Sequence, residues 1–435
     1  MATESKQLLR SRRFLPMFLT QFFGAFNDNV YKYALLMVFT YGWITLNGME
    51  ISTLNNLAAL LFILPFFIFS ATAGQLADRY DRARLVQLLK LGEIFIMLLA
   101  CLGFLLGNLW LLLLALFLMG TQSAFFGPIK YAMLPDILQE SELMAGNALF
   151  QSGTSLAILL GMVLGGIVIS LSAGNMWWIC LTIVMVAIIG YLCSRMILQQ
   201  PIADSTLKVN WNFFVTSWQM IRLSYGLPLI FLILLGNSWY WFYGAAFITQ
   251  IPQMTQQYLH GNENVSSVVL TFFSIGVVMG SALCKKLSGQ RVNIKLVPIG
   301  ATGLVIFAFY LAWALSQLPV QQGDYFTISQ IFQQGLHYYH VFIAVTLLGI
   351  SGGFYIVPLY AMMQAKSPSH QRARIVAANN IFNAIFMVAA AIFCIIILSV
   401  LQLNLLYLFV MTGLFSAVIT TILILKIRSI LENLH

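Results

Sequence analysis

The chain has 435 residues, of which 60% are hydrophobic and only 8% charged, with a mean hydropathy of +0.89. An ordinary soluble domain carries roughly 25% charged residues, so a water-soluble fold is excluded. The net charge of +9 would suit a nucleic-acid partner, but the 22 Lys and Arg residues are placed as in a membrane protein, and none is expected.

A helix needs roughly 20 mostly apolar residues to cross the hydrocarbon core. Twelve such stretches run near 14–38, 54–77, 84–107, 109–134, 143–170, 175–198, 227–251, 265–287, 294–316, 339–364, 374–400 and 402–426. Lys6, Arg10, Arg12 and Arg13 precede the first, and no small-residue cleavage site stands before Asp28. The first stretch is therefore read as a retained helix rather than a removed signal peptide. With the N-terminus inside, 19 basic residues fall in cytoplasmic segments, three (Lys32, Lys90, Lys130) fall within spans and none falls outside. The positive-inside rule then places both termini of a multi-pass membrane protein in the cytoplasm.

Charges within spans are costly and mark functional candidates. Span one carries Gln21, Asn27, Asp28, Asn29 and Lys32. Asp28 lies about 21 Å along the helix from Phe14, beyond the middle of a roughly 30 Å core. Flanked by two amides, it is the first candidate for contact with a substrate or coupling ion. Lys32, four residues on, shares its helix face, so a self-satisfying Asp28–Lys32 pair is the structural alternative.

After span two stands Gly74-Gln-Leu-Ala-Asp78-Arg79-Tyr-Asp-Arg82-Ala-Arg84. Asp78, at a helix end among arginines, can form charge pairs that hold neighbouring helices in one state and release them in another; a purely topological role for the arginines is the alternative. Lys90 and Glu93 on span three are read as structural, paired with each other or with the Asp78 loop. In span four Gly127-Pro128 loosens the helix just before Lys130. Lys130 lies about 8 Å above Pro135 and is not level with Asp28, so it either meets an anionic headgroup or snorkels to the interface.

Segment 199–226 carries Pro201, Asp204 and Lys208, then Trp211, Phe214, Val215, Trp218 and Ile221 at helical spacing, with Asn212, Thr216, Gln219 and Arg222 opposite. That is the pattern of an interfacial amphipathic helix, and it separates a six-helix bundle at 1–198 from a second at 227–435. Span seven offers Asn237, Trp239, Tyr240, Trp241 and Tyr243, either a cavity lining suited to an acyl chain or an interfacial aromatic belt. Asn379, Asn380 and Asn383 lie on span eleven. Gly161/Gly165 and Gly276/Gly280 have the spacing of close helix contacts. The five cysteines read as small buried hydrophobes. No P-loop, H-E-x-x-H or G-x-S-x-G occurs and the histidines do not cluster, so no enzyme, cofactor or metal site is expected.

The halves echo each other. Gly280 through Arg291 repeats the glycine and basic loop at Gly74, and Pro358-Leu-Tyr-Ala repeats Pro128-Ile-Lys130-Tyr131-Ala. The Gly74 segment resembles the G-x-x-x-D-R-x-x-R-R loop of the major facilitator superfamily, departing at Asp81 and Ala83. The resemblance implies an all-α fold of twelve transmembrane helices in two six-helix bundles, working by alternating access with Gly74, Asp78, Arg79 and Arg82 as a conformational gate.

Gln21 to Asn29 and Phe126 to Tyr131 resemble segments of the bacterial lysophospholipid transporter family, which includes forms fused to an acyltransferase. This implies a flippase carrying lysophosphatidylethanolamine-like lipids from the outer to the inner leaflet, with a separate acyltransferase as partner and the chain acting as a monomer. Asp28, Asn29 and Lys130 carry over as cavity residues; Asn27, Lys32, Tyr131, Asn237 and Tyr240 complete the candidate substrate site. A zwitterionic headgroup needs one acidic and one basic contact, which Asp28 and Lys130 supply. A proton-coupled exporter of a small hydrophilic or drug-like molecule, with Asp28 as proton site, is the alternative function. A non-transporting scaffold is disfavoured by the charged cavity residues.

Overall fold

The computed structural model describes residues 7–40, 51–172, 175–199, 201–288, 294–319 and 323–432. Twelve long helices follow in order: α1 Leu15–Thr40, α2 Ile51–Arg79, α3 Arg82–Leu106, α4 Leu109–Ile137, α5 Leu143–Ser172, α6 Trp177–Arg195, α7 Pro228–Ile248, α8 Glu263–Ser288, α9 Leu296–Ser316, α10 Leu336–Lys366, α11 Arg372–Ile395 and α12 Leu405–Glu432. The fold is all-helical; among the described residues the only β pairing is an isolated bridge between Gly261 and Phe326. Eleven described helices are long and apolar enough to cross a membrane. The twelfth, α1, has the length, 26 residues, but carries the polar group Gln21, Asn27, Asp28, Asn29 and Lys32. The chain is a multi-pass membrane protein.

Local chemistry sets the helix ends. Asp81, where the superfamily loop usually has glycine, caps α3 by accepting from the Ala83 amide at 3.0 Å. Gly107 ends α3 in the left-handed region (φ 61°) that a side chain would disfavour, and Asn108 caps α4 through the Leu111 amide at 3.1 Å. Two residues thus turn one span into the next.

The chain forms two compact units. Met1–Gly146, Leu156–Gly226 and Gln364–Ile381 make the first; Asn147–Ser155, Leu227–Met363 and Phe382–His435 make the second. The first therefore includes the end of α10 and the start of α11. In it α2 and α3 pack on α4, while α6 packs on α1 and α3. Val30, Tyr31, Leu35, Leu112, Leu116 and Ile183 form its core, and the Tyr31 hydroxyl donates to the Leu112 carbonyl at 2.7 Å.

In the second unit α12 packs on α7 and α9. Tyr243 donates to the Leu304 carbonyl (3.0 Å), Trp239 to Ser416 (2.9 Å) and Ser238 to Asn383 (2.9 Å). These bonds spend the polar ends of the span-seven residues inside the unit.

Small residues allow the closest approaches. A Cβ on Gly161 would sit 2.5 Å from the Phe26 carbonyl oxygen, and one on Gly165 2.8 Å from that of Val30, so α5 runs against the backbone of α1. A Cβ on Gly276 or Gly280 of α8 would run into the carbonyls of Thr346 or Ile350 of α10.

The linker helix Phe213–Tyr225 starts at Asn212, which caps it through the Val215 amide at 3.2 Å. Trp211, Phe214 and Trp218 are about 70% exposed, while Thr216, Ser217, Met220 and Ser224 are buried where the helix meets α2. Thr216, on the face opposite the tryptophans as its spacing places it, donates to the Asn210 and Asn212 carbonyls. A stripe of small side chains lets this helix approach α2 more closely than its larger residues would.

Replacing Gly280 with Val should force α8 from α10 and lower the melting temperature of the detergent-solubilised protein, at a cost of about 1–3 kcal/mol. Gly92→Ala, where a Cβ meets nothing within 4 Å, should leave it unchanged or slightly raised.

Candidate functional site

The first unit gathers its buried charges in two places. One lies along α1, α3 and α4. Lys90 and Glu93, a turn apart on α3, are fully buried and pair at 2.5 Å. Glycine makes room for the lysine: a Cβ on Gly24 of α1 would strike its ammonium, and one on Gly190 of α6 would lie 4.0 Å away. The ammonium also sits over the Phe126 ring, 5.2 Å from its centre. Glu93 accepts from the Asn27 amide at 3.1 Å and the Gln122 amide at 3.2 Å, which completes the hydrogen bonding of a buried carboxylate.

Asp28 is only partly buried. Ser123 of α4 donates to its carboxylate at 2.9 Å, and Gln122 Oε1 lies 3.4 Å from the same hydroxyl. The Asp28–Lys32 pair allowed by their spacing does not form. Lys32 instead caps the Phe62 ring of α2 at 4.3 Å, which leaves the Asp28 carboxylate to the α4 side. Lys90 and Glu93 pair with each other rather than with the Asp78 loop, one of the two expected arrangements.

Lys130 stands seven residues beyond Ser123, about 10 Å along a straight helix. Its ammonium lies 5.0 Å from the centre of the Tyr131 ring and 5.8 Å from that of Phe126, one turn back toward Ser123. Asp28, Lys32, Lys130 and Tyr131 are all partly exposed, whereas Asn27 is buried. The Asn29 amide bonds to the Ala25 carbonyl of its own helix at 2.7 Å. Asn237 and Tyr240 belong to the second unit. Asn237 is buried with its amide 3.8 Å from the Met363 sulfur, and Tyr240 stacks on Tyr355 beneath Gly352.

The second place is the loop after α2. Asp78 is fully buried and accepts from Arg82 Nη2 (3.0 Å), Arg374 Nε (3.0 Å) and the backbone amides of Ala373 (3.2 Å) and Arg374 (3.3 Å). The last two are free N–H groups in the first turn of α11, so one carboxylate both pairs with two arginines and caps a helix N-terminus. Arg82, 2% exposed, also bonds to Asp136 at the end of α4, and Asp136 reaches Arg372 at 3.1 Å. Gly74 permits this approach: a Cβ there would lie 2.6 Å from that of Ala377 and 2.9 Å from the Ala373 carbonyl.

The linker joins the cluster through Arg79 and the Leu207 carbonyl, through the Asp204 amide and the Asp78 carbonyl (2.8 Å), and through Asp204 and Arg374 (3.5 Å). A hydrogen bond from the Thr206 hydroxyl holds the Asp204 carboxyl below the ordinary carboxylate value. Its pair with Arg374 is therefore present at neutral pH and is lost as the pH falls through that lowered value.

The superfamily model matches residues 17–391 as Major Facilitator Superfamily. The chain belongs to the major facilitator superfamily. Its curated relatives include the lysophospholipid transporters LplT of Yersinia pestis and Yersinia pseudotuberculosis, each 23% identical over 365 residues, 82% of this chain and 80% of theirs. Among solved structures, the facilitator FucP in its outward conformation superposes with a TM-score of 0.72 at 14% identity, covering 96% of this chain and 99% of that one. The human organic anion transporter MFSD10 gives 0.73 at 13% identity, covering 95% and 99%. These structures share the superfamily fold.

Ser123, Gln122, Asp136, Arg372 and Arg374 escape the sequence reading. Asp136 and the two arginines have no periodic or motif signal tying them to residue 78, since their contacts span 54 to nearly 300 residues of chain. Ser123 and Gln122 precede Gly127-Pro128-Ile-Lys130 by about one turn, and that proximity to a recognised segment was the available signal.

Asp78→Asn should weaken both arginine pairs and the α11 cap. The amides of Ala373 and Arg374 should exchange with deuterium at least about tenfold faster than in the wild type, since each 1.4 kcal/mol of lost protection is a factor of ten. Unchanged exchange would show that Asp78 does not hold the start of α11.

Proposed function

We propose that this protein is a lysophospholipid transporter that moves lysophosphatidylethanolamine-like lipids from the outer to the inner leaflet of a bacterial inner membrane by alternating access. The observation that carries the proposal is the pairing of opposite charges along one helix: α4 holds the partly buried Asp28 carboxylate through Ser123 and carries the Lys130 ammonium two turns further on. A headgroup with an ammonium and a phosphate presents the complementary pair. The 23% identity to lysophospholipid transporters over 82% of the chain points the same way.

In this scheme Asp28, with Asn27 and Asn29 beside it, takes the ammonium, and Lys130 with Tyr131 takes the phosphate. Lys32 on Phe62 adds positive potential nearby, and Asn237 and Tyr240 are proposed as further substrate contacts. The Asp78 cluster, with Gly74, Arg79 and Arg82, is the gate, closed while its ion pairs hold and open when they part. Segments 1–198 and 227–435 act as the two bundles joined by 199–226, whose linker helix rests its exposed tryptophans in the lipid interface. Both termini are cytoplasmic, and an acyltransferase consumes the delivered lysolipid.

Uptake of labelled lysophosphatidylethanolamine into spheroplasts lacking their own transporter tests the proposal. Wild type should take up the lipid, while Asp28→Asn and Lys130→Ala at equal expression should each lose about tenfold or more, the loss that follows from one hydrogen bond to a charged group worth about 1.5–3 kcal/mol. No uptake by well-expressed wild type would contradict it and favour the proton-coupled exporter.

A further inference from the structure

α3 and α6 run antiparallel within the first unit and keep one register along their length. Gln87 donates to the Ser194 carbonyl at 3.4 Å, and the stem of Lys90 passes Gly190, where a Cβ would lie 3.8 Å from it. Fourteen residues beyond Gln87 in α3, and fourteen before Ser194 in α6, the same register sets Cys101 opposite Cys180. The Cys101 sulfur lies 3.6 Å from the Cys180 carbonyl oxygen, and the Cys180 sulfur 3.8 Å from that of Cys101. Reciprocal contacts put the two side chains face to face at a close helix crossing. A disulfide, with its Cβ atoms about 3.5–4.5 Å apart, needs that arrangement. Both cysteines are buried in the core with Tyr31, Phe104 and Ile179, and a thiol is only a weak donor to the carbonyl it meets.

The level of the pair in the membrane is marked by its neighbours. Arg82 and Arg84 begin α3 and Arg195 ends α6, while at the opposite helix ends Trp110, Trp177 and Trp178 are exposed, as in an interfacial aromatic belt. By helical rise Cys101 is about 8 Å from Leu106, and Cys180 about 5 Å from Trp177. With the basic ends in the cytoplasm, the pair lies just beneath the outer surface, on the side where disulfides form and persist. The other three cysteines are placed differently. Cys193 and Cys284 lie at the basic ends of α6 and α8, and Cys394 meets the Ala246 carbonyl at 4.0 Å.

We infer that Cys101 and Cys180 form a disulfide that staples the outer end of α3 to that of α6. The oxidant is a disulfide of the outer compartment, such as that of a thiol–disulfide oxidoreductase, met while these helix ends are still open during insertion. The Cys101 thiol gives up its proton and its sulfur attacks the external disulfide, forming a mixed disulfide and releasing one external thiolate. The Cys180 thiolate then attacks the Cys101 sulfur and releases the second. Two cysteine S–H bonds and one external S–S bond are exchanged for one cysteine S–S bond and two external S–H bonds. The pair is oxidised by two electrons and the external disulfide reduced by two. The inference is independent of the substrate and rests on the orientation given above, with both termini cytoplasmic.

The test uses full-length wild type, with cells quenched in acid before lysis and the denatured protein alkylated with N-ethylmaleimide. Peptide mass mapping without reductant should find the peptides of Cys101 and Cys180 joined, with alkylation at Cys193, Cys284 and Cys394 only. After reduction all five cysteines should be alkylated. Cys101→Ala should free Cys180, which then takes the label. Wild type in which Cys101 and Cys180 are both alkylated without reduction overturns the inference. A second arm checks the orientation: Asn175→Cys, in a variant with Cys101→Ala and Cys180→Ala, should react with a membrane-impermeant maleimide on intact cells. Labelled Asn175→Cys with free Cys101 and Cys180 in wild type overturns the disulfide alone. Asn175→Cys that is labelled only after lysis overturns the orientation and the inference with it.

Discussion

Hydrocarbon offers a charge neither hydrogen bonds nor a counter-charge, so a charge sealed within these helices must find both in protein. That requirement shapes the first unit. Glu93 is met by Lys90, Asn27 and Gln122, and Asp78 by two arginines and two amides at a helix start. Removing one member of such a set leaves an uncompensated charge, at a cost of about 3–5 kcal/mol. The sets therefore behave as units that are made or broken whole.

The two sets differ in how completely they are enclosed. Lys90 and Glu93 are sealed by Gly24, Gly190 and Phe126. Asp28 and Lys130 remain partly exposed, with a serine and two aromatic rings as their nearest partners. A rigid neutral pair behind a half-satisfied pair is the arrangement expected of a binding site whose supporting shell fixes its geometry. At the Asp78 cluster, Arg82 and the start of α11 meet at one carboxylate while the linker bonds to the Asp78 backbone carbonyl, so one residue joins three segments of chain.

Much of this was legible in the sequence because membrane helices are written in composition. The twelve apolar stretches match the twelve long helices to within several residues at most ends, and the glycine pairs at 161/165 and 276/280 lie at close backbone contacts. The polar first helix and the special place of Asp28 were legible for the same reason: a carboxylate amid apolar residues is conspicuous. Pair partners were not. Four-residue spacing allowed Asp28–Lys32, but Phe62 on another helix offered Lys32 an aromatic face. Of the partners of Asp78, Arg82 follows four residues on, but Arg374 and, through Arg82, Asp136 are brought to the cluster only by tertiary packing.

The central claim is that a lysolipid headgroup sits between α1 and α4. It is tested most directly by photo-crosslinking the reconstituted protein with a lysophosphatidylethanolamine analogue carrying a diazirine beside its amine, followed by peptide mapping. Adducts should concentrate in segments 20–32 and 119–131 and disappear when unlabelled lysophosphatidylethanolamine competes. Adducts confined to lipid-facing surfaces, indifferent to competitor, would contradict the claim.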